Sequence, residues 1–250
     1  MPSDLNWVGV LEHHARRTPD KAIAVMGDEA VTYAGMVDRS AALATGLADL
    51  GVGRGDVVAL LSYNSLEFLE VIFAANHLGA VAMPINWRLA AAEVAFILEH
   101  SQARAFVCDE ELLELGTDAV DRLDDGPVRV AVTARPHDGW LRLADLRADA
   151  DRVERVPVEG DDLHRLMYTS GTTGRPKGVM LTHANLAWKN FAHVTELGVT
   201  AEDIGLACGP LYHVGALDLI TTTMIAVGAT TMSTGSSTRP SWSRRSSAPG

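Results

Sequence analysis

The 250-residue chain is acidic, with 32 Asp and Glu against 21 Lys and Arg and a formal charge of −11. That balance excludes a general nucleic-acid binder, which needs a basic surface to neutralise phosphates. Hydrophobic residues make up 47% and charged residues 21%, the balance of a soluble globular protein long enough to bury a sizeable core.

The first stretch reads as helix, then short strands, then helix. Asp4, Glu12, His13 and His14 stand where a secretory signal would need an apolar run, so the cytosol is the expected location. Ala22–Met26 and Val31–Tyr33 flank Gly27-Asp28, a hairpin turn. Thr32 can cap a helix through Val37, Leu43 and Leu47, with Gly51 just past its end.

The next segment is more regular. Val57–Leu61 is a short β-branched and apolar run, as a buried strand would be. Ser65 can cap a helix on which Leu69, Ile72 and Phe73 share a face, and Gly79 ends it. Ala80–Pro84 is a second strand, Ala91–His100 a second helix and Arg104–Cys108 a third strand. Such alternation predicts βαβ units, hence an α/β fold with parallel sheets flanked by helices.

From Asp109 to Glu159 the pattern weakens into turn chemistry, and Asp145–Arg155 reads as a solvated surface. Cys108 and Cys208 have no CxxC spacing, which fits a reducing compartment. Asp161-Asp162 reads as a turn, and Glu67 and Glu70 as solvated helix positions. Leu163–Thr169 is a strand feeding a glycine-rich loop, and Ala184–Leu197 a helix with Ala187, Phe191 and Val194 on one face, stopped by Gly198. No apolar run approaches the ~18 residues of a membrane span, so no integral membrane segment is expected.

The loop is Tyr168-Thr-Ser-Gly-Thr-Thr-Gly-Arg-Pro-Lys-Gly178. Gly171, Gly174 and Gly178 let backbone approach a ligand without Cβ interference. Thr169, Ser170, Thr172 and Thr173 add hydroxyls, and Lys177 adds a point charge. Between a strand and a helix these make a phosphate cradle. A plain Gly/Ser/Thr surface turn explains the composition but not the Pro-Lys-Gly close and its flanking elements. Because no Gly-Lys-Ser/Thr closes the loop, it is not a Walker A motif.

The segment resembles the phosphate loop of the adenylate-forming superfamily, which includes acyl-CoA synthetases, peptide-synthetase adenylation domains and luciferases. The likeness extends to Thr32-Tyr33-Ala34, Gly53–Ala59, Asn64–Phe68 and Leu78–Val81. Pro84-Ile85-Asn86-Trp87-Arg88-Leu89, followed by Glu93, is most similar to fatty-acyl-CoA synthetases. The resemblance implies that a small carboxylic acid is activated by ATP to acyl-AMP and passed to CoA. It places Thr169, Ser170, Gly171, Thr172, Thr173, Gly174 and Lys177 on the ATP phosphates, with Thr169 near Mg²⁺.

By the same likeness His213, in Gly209-Pro210-Leu211-Tyr212-His213-Val214-Gly215, borders the acyl pocket and the reacting carboxylate. Leu217 stands where some long-chain synthetases place a tryptophan gate. Transfer to a carrier protein or an amine, and a non-catalytic remnant, are the alternative readings.

The resemblance also implies an enzyme roughly twice this long, so the chain reads as an N-terminal fragment. Residues 1–160 are expected to form a first α/β subdomain and 161–232 to begin a second. Residues 233–250 turn Ser/Arg/Pro-rich and read as a non-native or disordered tail. With GC-rich codons, Gly235–Gly250 read in a frame displaced by two nucleotides can encode an amphipathic helix, which points to a frameshift. An interrupted sheet would expose an edge, so a homodimer or aggregation is expected.

Overall fold

The computed structural model describes residues 6–147, 152–169 and 176–233. Helix α1 (Trp7–Arg17) is capped by Asn6, whose side chain accepts from the Val8 N–H. Strands β1 (Ala22–Met26) and β2 (Glu29–Thr32) form a hairpin turning at Gly27, φ 63°. Thr32 then caps α2 (Tyr33–Asp49), so Tyr33 opens the helix instead of extending the strand. The expected αβ alternation follows as β3 (Val57–Leu61), α3 (Leu66–His77), β4 (Val81–Pro84), α4 (Ala91–His100) and β5 (Ala103–Asp109).

The weakly patterned region holds more order than its sequence shows. It contains α5 (Leu113–Val120), β6 (Val128–Val132), β7 (Leu141–Arg142) and the short α6 (Leu143–Leu146). Beyond it come β8 (Leu163–Thr169), β9 (Lys177–Thr182), α7 (His183–Leu197), β10 (Ile204–Leu206) and β11 (Thr230–Ser233). Between the last two strands lie a turn of α-helix (Val214–Ala216), a π-helical stretch (Leu217–Thr222) and a second short α segment (Thr223–Ala226).

Two sheets result. The larger has the order β7-β6-β5-β3-β4-β8-β9, parallel except for β9. The smaller has the order β10-β11-β1-β2. Each sheet draws strands from both sides of residue 160, so the sheets are not divided there. Along β3, Val58 and Leu60 face one core with α1–α3, while Val57, Ala59 and Leu61 face the other with α4 and α5. Every β3 residue is buried, as a strand covered on both faces must be.

Three expectations change. Glu70 is fully buried, not solvated: α3 is wedged between the sheet and α2, and its carboxylate accepts from Arg39 of α2 and from Arg147. Of the 145–155 run read as solvated, Arg147 pairs with Glu70 and Arg155 with Glu12, while Arg152 meets Asp38 at the surface. On α7 the buried residues are His183, Leu186 and Asn190, whereas Phe191 is 64% exposed. The helix turns Lys189 and Asn190 toward a polar cluster on the π-helical stretch, which rotates the anticipated apolar face outward. Asp162 behaves as expected of a turn, its carboxylate accepting from the Glu159 N–H at 2.7 Å. Ser233 extends β11 beside Met26, and residues 234–250 lie outside the described residues.

Candidate functional site

In a parallel sheet, ligands gather where neighbouring strands send their connections to opposite faces. Here β3 leads into α3 on one face and β4 leads into α4 on the other. The strands are adjacent and parallel, the arrangement in which a ligand crevice is expected beyond their carboxyl ends. Tyr63 and Asn64 follow β3, and Trp87 and Arg88 follow β4. The Tyr63 and Trp87 rings meet edge to face at 5.1 Å, and the Arg88 guanidinium lies 4.1 Å from the Trp87 ring centre. Tyr212 packs edge-on against Trp87 at 6.1 Å, and its hydroxyl accepts from Arg88.

Asn64 fastens the segment carrying Tyr212 and His213. Its amide donates to the Gly209 carbonyl at 2.9 Å and to Ser233 Oγ at 3.0 Å, and its oxygen accepts from the Leu211 N–H at 2.8 Å. His213 is exposed and caps the helical turn Val214–Ala216, its Nδ1 accepting from the Gly215 N–H at 3.1 Å. Leu217 is buried in the core; it presents no gate at the surface.

The phosphate-loop candidate opens at the same end of the sheet, because β8 runs parallel to β4 beside it. The loop joins two antiparallel strands and not a strand and a helix: Thr169 pairs with Lys177, and α7 starts only after β9. The N-terminus of α7 therefore does not follow the loop directly, as it would in a strand–loop–helix cradle. Thr169 and Lys177 are both exposed at the hairpin mouth. Ser170, Gly171, Thr172, Thr173 and Gly174 lie outside the described residues.

Gly178 has a different use from the one expected. It sits opposite Tyr168 in the ladder, and a Cβ there would stand 3.1 Å from Cζ of that ring. The ring thereby lies across β9, with its hydroxyl 2.7 Å from Nδ1 of His100 on α4.

The structure thus brings Thr169 and Lys177 together and puts His213 on a separate segment tied down by Asn64. Sequence reasoning assigned no role to Tyr63, Asn64, Trp87, Arg88 or Tyr212. The available signal was positional: the first four directly follow buried parallel strands.

A profile for the family described as AMP-binding enzyme matches residues 11–245. A feruloyl-CoA synthase of an Amycolatopsis species is 36% identical over 216 residues, covering 86% of this chain and 41% of the relative. The long-chain-fatty-acid–CoA ligase FadD13 of Mycobacterium tuberculosis is 38% identical over 193 residues, covering 77% and 38%. Among solved structures, the inhibitor-bound N-terminal domain of FACL13 from Mycobacterium tuberculosis superposes with a TM-score of 0.79 at 34% identity, covering 92% of this chain and 57% of that one. The chain spans 41% and 38% of the length of these two curated relatives.

Proposed function

Because the chain belongs to the AMP-binding enzyme family, we propose that it forms the part of an acyl-CoA synthetase that receives the ATP phosphates and a hydrophobic carboxylate. In the proposed reaction a carboxylate oxygen attacks the α-phosphorus of ATP. The bond to the bridging oxygen breaks, pyrophosphate leaves with the electron pair, and acyl-AMP remains. The CoA thiol, losing its proton, then attacks the acyl carbon and AMP departs. Neither step needs a protein nucleophile, so positioning and charge stabilisation are the protein's share.

The observation that carries this reading is the hairpin mouth. It sets Lys177 beside Thr169 at the carboxyl end of the sheet that also forms the aromatic crevice. Under the proposal Thr169, Ser170, Gly171, Thr172, Thr173 and Gly174 hold the β- and γ-phosphates, and Lys177 offsets the charge gathering on the departing pyrophosphate. His213 accepts a backbone N–H at Nδ1, so its neutral ring carries the proton on Nε2 and can donate to a carboxylate oxygen.

Among the described residues no group of three His, Cys, Asp or Glu side chains could hold a metal ion. Under the proposal the Thr169 hydroxyl would supply one oxygen ligand to a Mg²⁺ bound with the nucleotide, and the ion would offset phosphate charge. Also among these residues, no helix is long and apolar enough to cross a membrane.

The test is ATP-dependent pyrophosphate release by the whole enzyme with hydrophobic acids, in the presence and absence of CoA. Lys177→Ala should slow release by ~10²-fold or more; an unchanged rate refutes the assignment. Thioester appearing with another acceptor but not with CoA would replace CoA in the proposal. Self-association is part of the same reading. The edge strands expose Val179 and Met180 on β9 and Ile204 and Leu206 on β10, and light scattering showing only monomer would refute it.

A further inference from the structure

The hairpin mouth stands at a margin of the larger sheet. Strand β9 is the last in the order and pairs with β8 alone, and Val179 and Met180 are exposed along it. The β4–β8 ladder registers at Ala82 and Arg165, upstream of Tyr168 and Thr169. Among the described residues the side chains of Thr169 and Lys177 make no hydrogen bond or ion pair. The groups that would meet a ligand therefore do not themselves fasten the mouth.

Tyr168 reaches from the mouth to α4. Its half-buried ring lies over Gly178, where a Cβ would stand 3.1 Å from Cζ and 3.2 Å from Cε2. Its hydroxyl is 2.7 Å from Nδ1 of His100, and the two rings meet edge to face at 5.9 Å. His100 is the last residue of α4 and stacks on Phe96, one turn earlier, at 5.3 Å. Helix α4 is itself anchored by Val94, Ile97 and Leu98 in the core. Burial raises the Tyr168 phenol above its ordinary value of 10, so it keeps its proton and can donate to the neutral imidazole.

The ladder places this link beside the candidate site. Tyr168 pairs with Gly178 and Thr169 with Lys177, so a tilt of the Tyr168 ring carries both sides of the mouth with it. A site works best when the elements that carry it are locked before the ligand arrives, because ordering a loop on binding lowers affinity.

We propose that Tyr168 and His100 are positioning residues for ATP: their hydrogen bond fixes the hairpin mouth to α4, so that Thr169 and Lys177 meet the phosphates in a preset geometry. The inference rests on the phosphate reading of the mouth given above. Neither side chain is assigned contact with the reacting atoms. A bond that served stability alone would change the amount of folded enzyme and leave KM where it was.

The test uses the whole enzyme as wild type, Tyr168→Phe, His100→Ala and the double variant, with pyrophosphate release measured against ATP and against the acid. Tyr168→Phe keeps the ring over Gly178 and His100 is exposed, so all three variants should fold. Each single variant should raise KM for ATP by about 3–10-fold, the size of one neutral hydrogen bond, with KM for the acid unchanged. The double variant should be no worse than either single one, since all three lack the same bond. Without ligand, amide exchange should quicken in Tyr168→Phe at Tyr168–Thr169 and Lys177–Val179 but not in β3. A KM for ATP within about twofold of wild type, single effects that multiply, or unchanged exchange at the mouth would each overturn the proposal. Wild-type enzyme that released no pyrophosphate would refute the phosphate reading and the positioning role together, whereas failure in the variants alone refutes only the role of the bond.

Discussion

Replacing Glu70 by glutamine probes the most deeply buried carboxylate that joins separate elements. Its side chain is 0% exposed, whereas those of Arg39 and Arg147 are 26% and 28% exposed. Three bonds end on it: Arg39 Nε at 2.9 Å, Arg147 Nε at 2.7 Å and Arg147 Nη2 at 2.6 Å. Each charge-assisted bond contributes about 1.5–3 kcal/mol, and removing one partner of a buried pair costs about 3–5 kcal/mol. The partly exposed arginines regain some water, which places the expected loss near the low end, at about 3 kcal/mol. The amide also turns N–H donors toward guanidinium donors. With a urea slope of about 1–3 kcal/mol per molar, the midpoint should fall by about 1–3 M, read by circular dichroism. A cycle with Arg147→Met should return a coupling of about 1–3 kcal/mol. A change below about 0.5 kcal/mol would show that water serves the two arginines as well as Glu70 does.

Gly46→Ala sets helix propensity against packing. Alanine favours α2 by about 1 kcal/mol, but its Cβ would stand 2.2 Å from the Leu146 carbonyl oxygen. Overpacking costs about 1–3 kcal/mol and here meets rigid backbone, so net destabilisation is expected; a raised melting temperature would contradict the packing. His164 sets an acid limit: burial, then Arg165 and His183, push it well below 6.5. A histidine depressed in the fold contributes fully above its unfolded pKa, and that stability drains as pH falls below about 6.5, at up to ~1.4 kcal/mol per unit. His164→Leu should flatten the stability profile between pH 6.5 and 4.5, and an unaltered slope counts against the assignment. Cys208 is exposed and Cys108 buried, with burial raising the Cys108 thiol. One thiol per native chain should therefore react rapidly with a disulfide reagent, and two fast thiols would contradict the fold around β5.

The elements most legible in the sequence were those whose signals are local. Val57–Leu61 and Ala91–His100 have the expected bounds, because an unbroken apolar run and a helical stripe each carry their own periodicity. Ser65, Thr32 and Gly198 cap the helices as expected, since capping is decided within a few residues. What escaped depends on distant partners. The strand character of Lys177–Thr182 comes from pairing with β8, and Glu70 looks like a surface acid until Arg39 and Arg147 close over it. The crevice was half legible. Asn64, Trp87 and Arg88 lay in segments with a family likeness, but only the opposite departures of α3 and α4 show why they converge.

The smaller sheet has a consequence for how the chain is made. Its β1 pairs on one side with β2 nearby and on the other with β11, Ala24 lying against Thr231. At ~5–20 residues per second of synthesis, the β1 edge waits on the order of 10–40 s for its parallel neighbour. Throughout that interval Ile23, Ala24 and Met26, all buried in the finished fold, belong to an unfinished sheet. The nascent chain thus has a defined window of vulnerability, which closes only when residues 230–233 clear the ribosome.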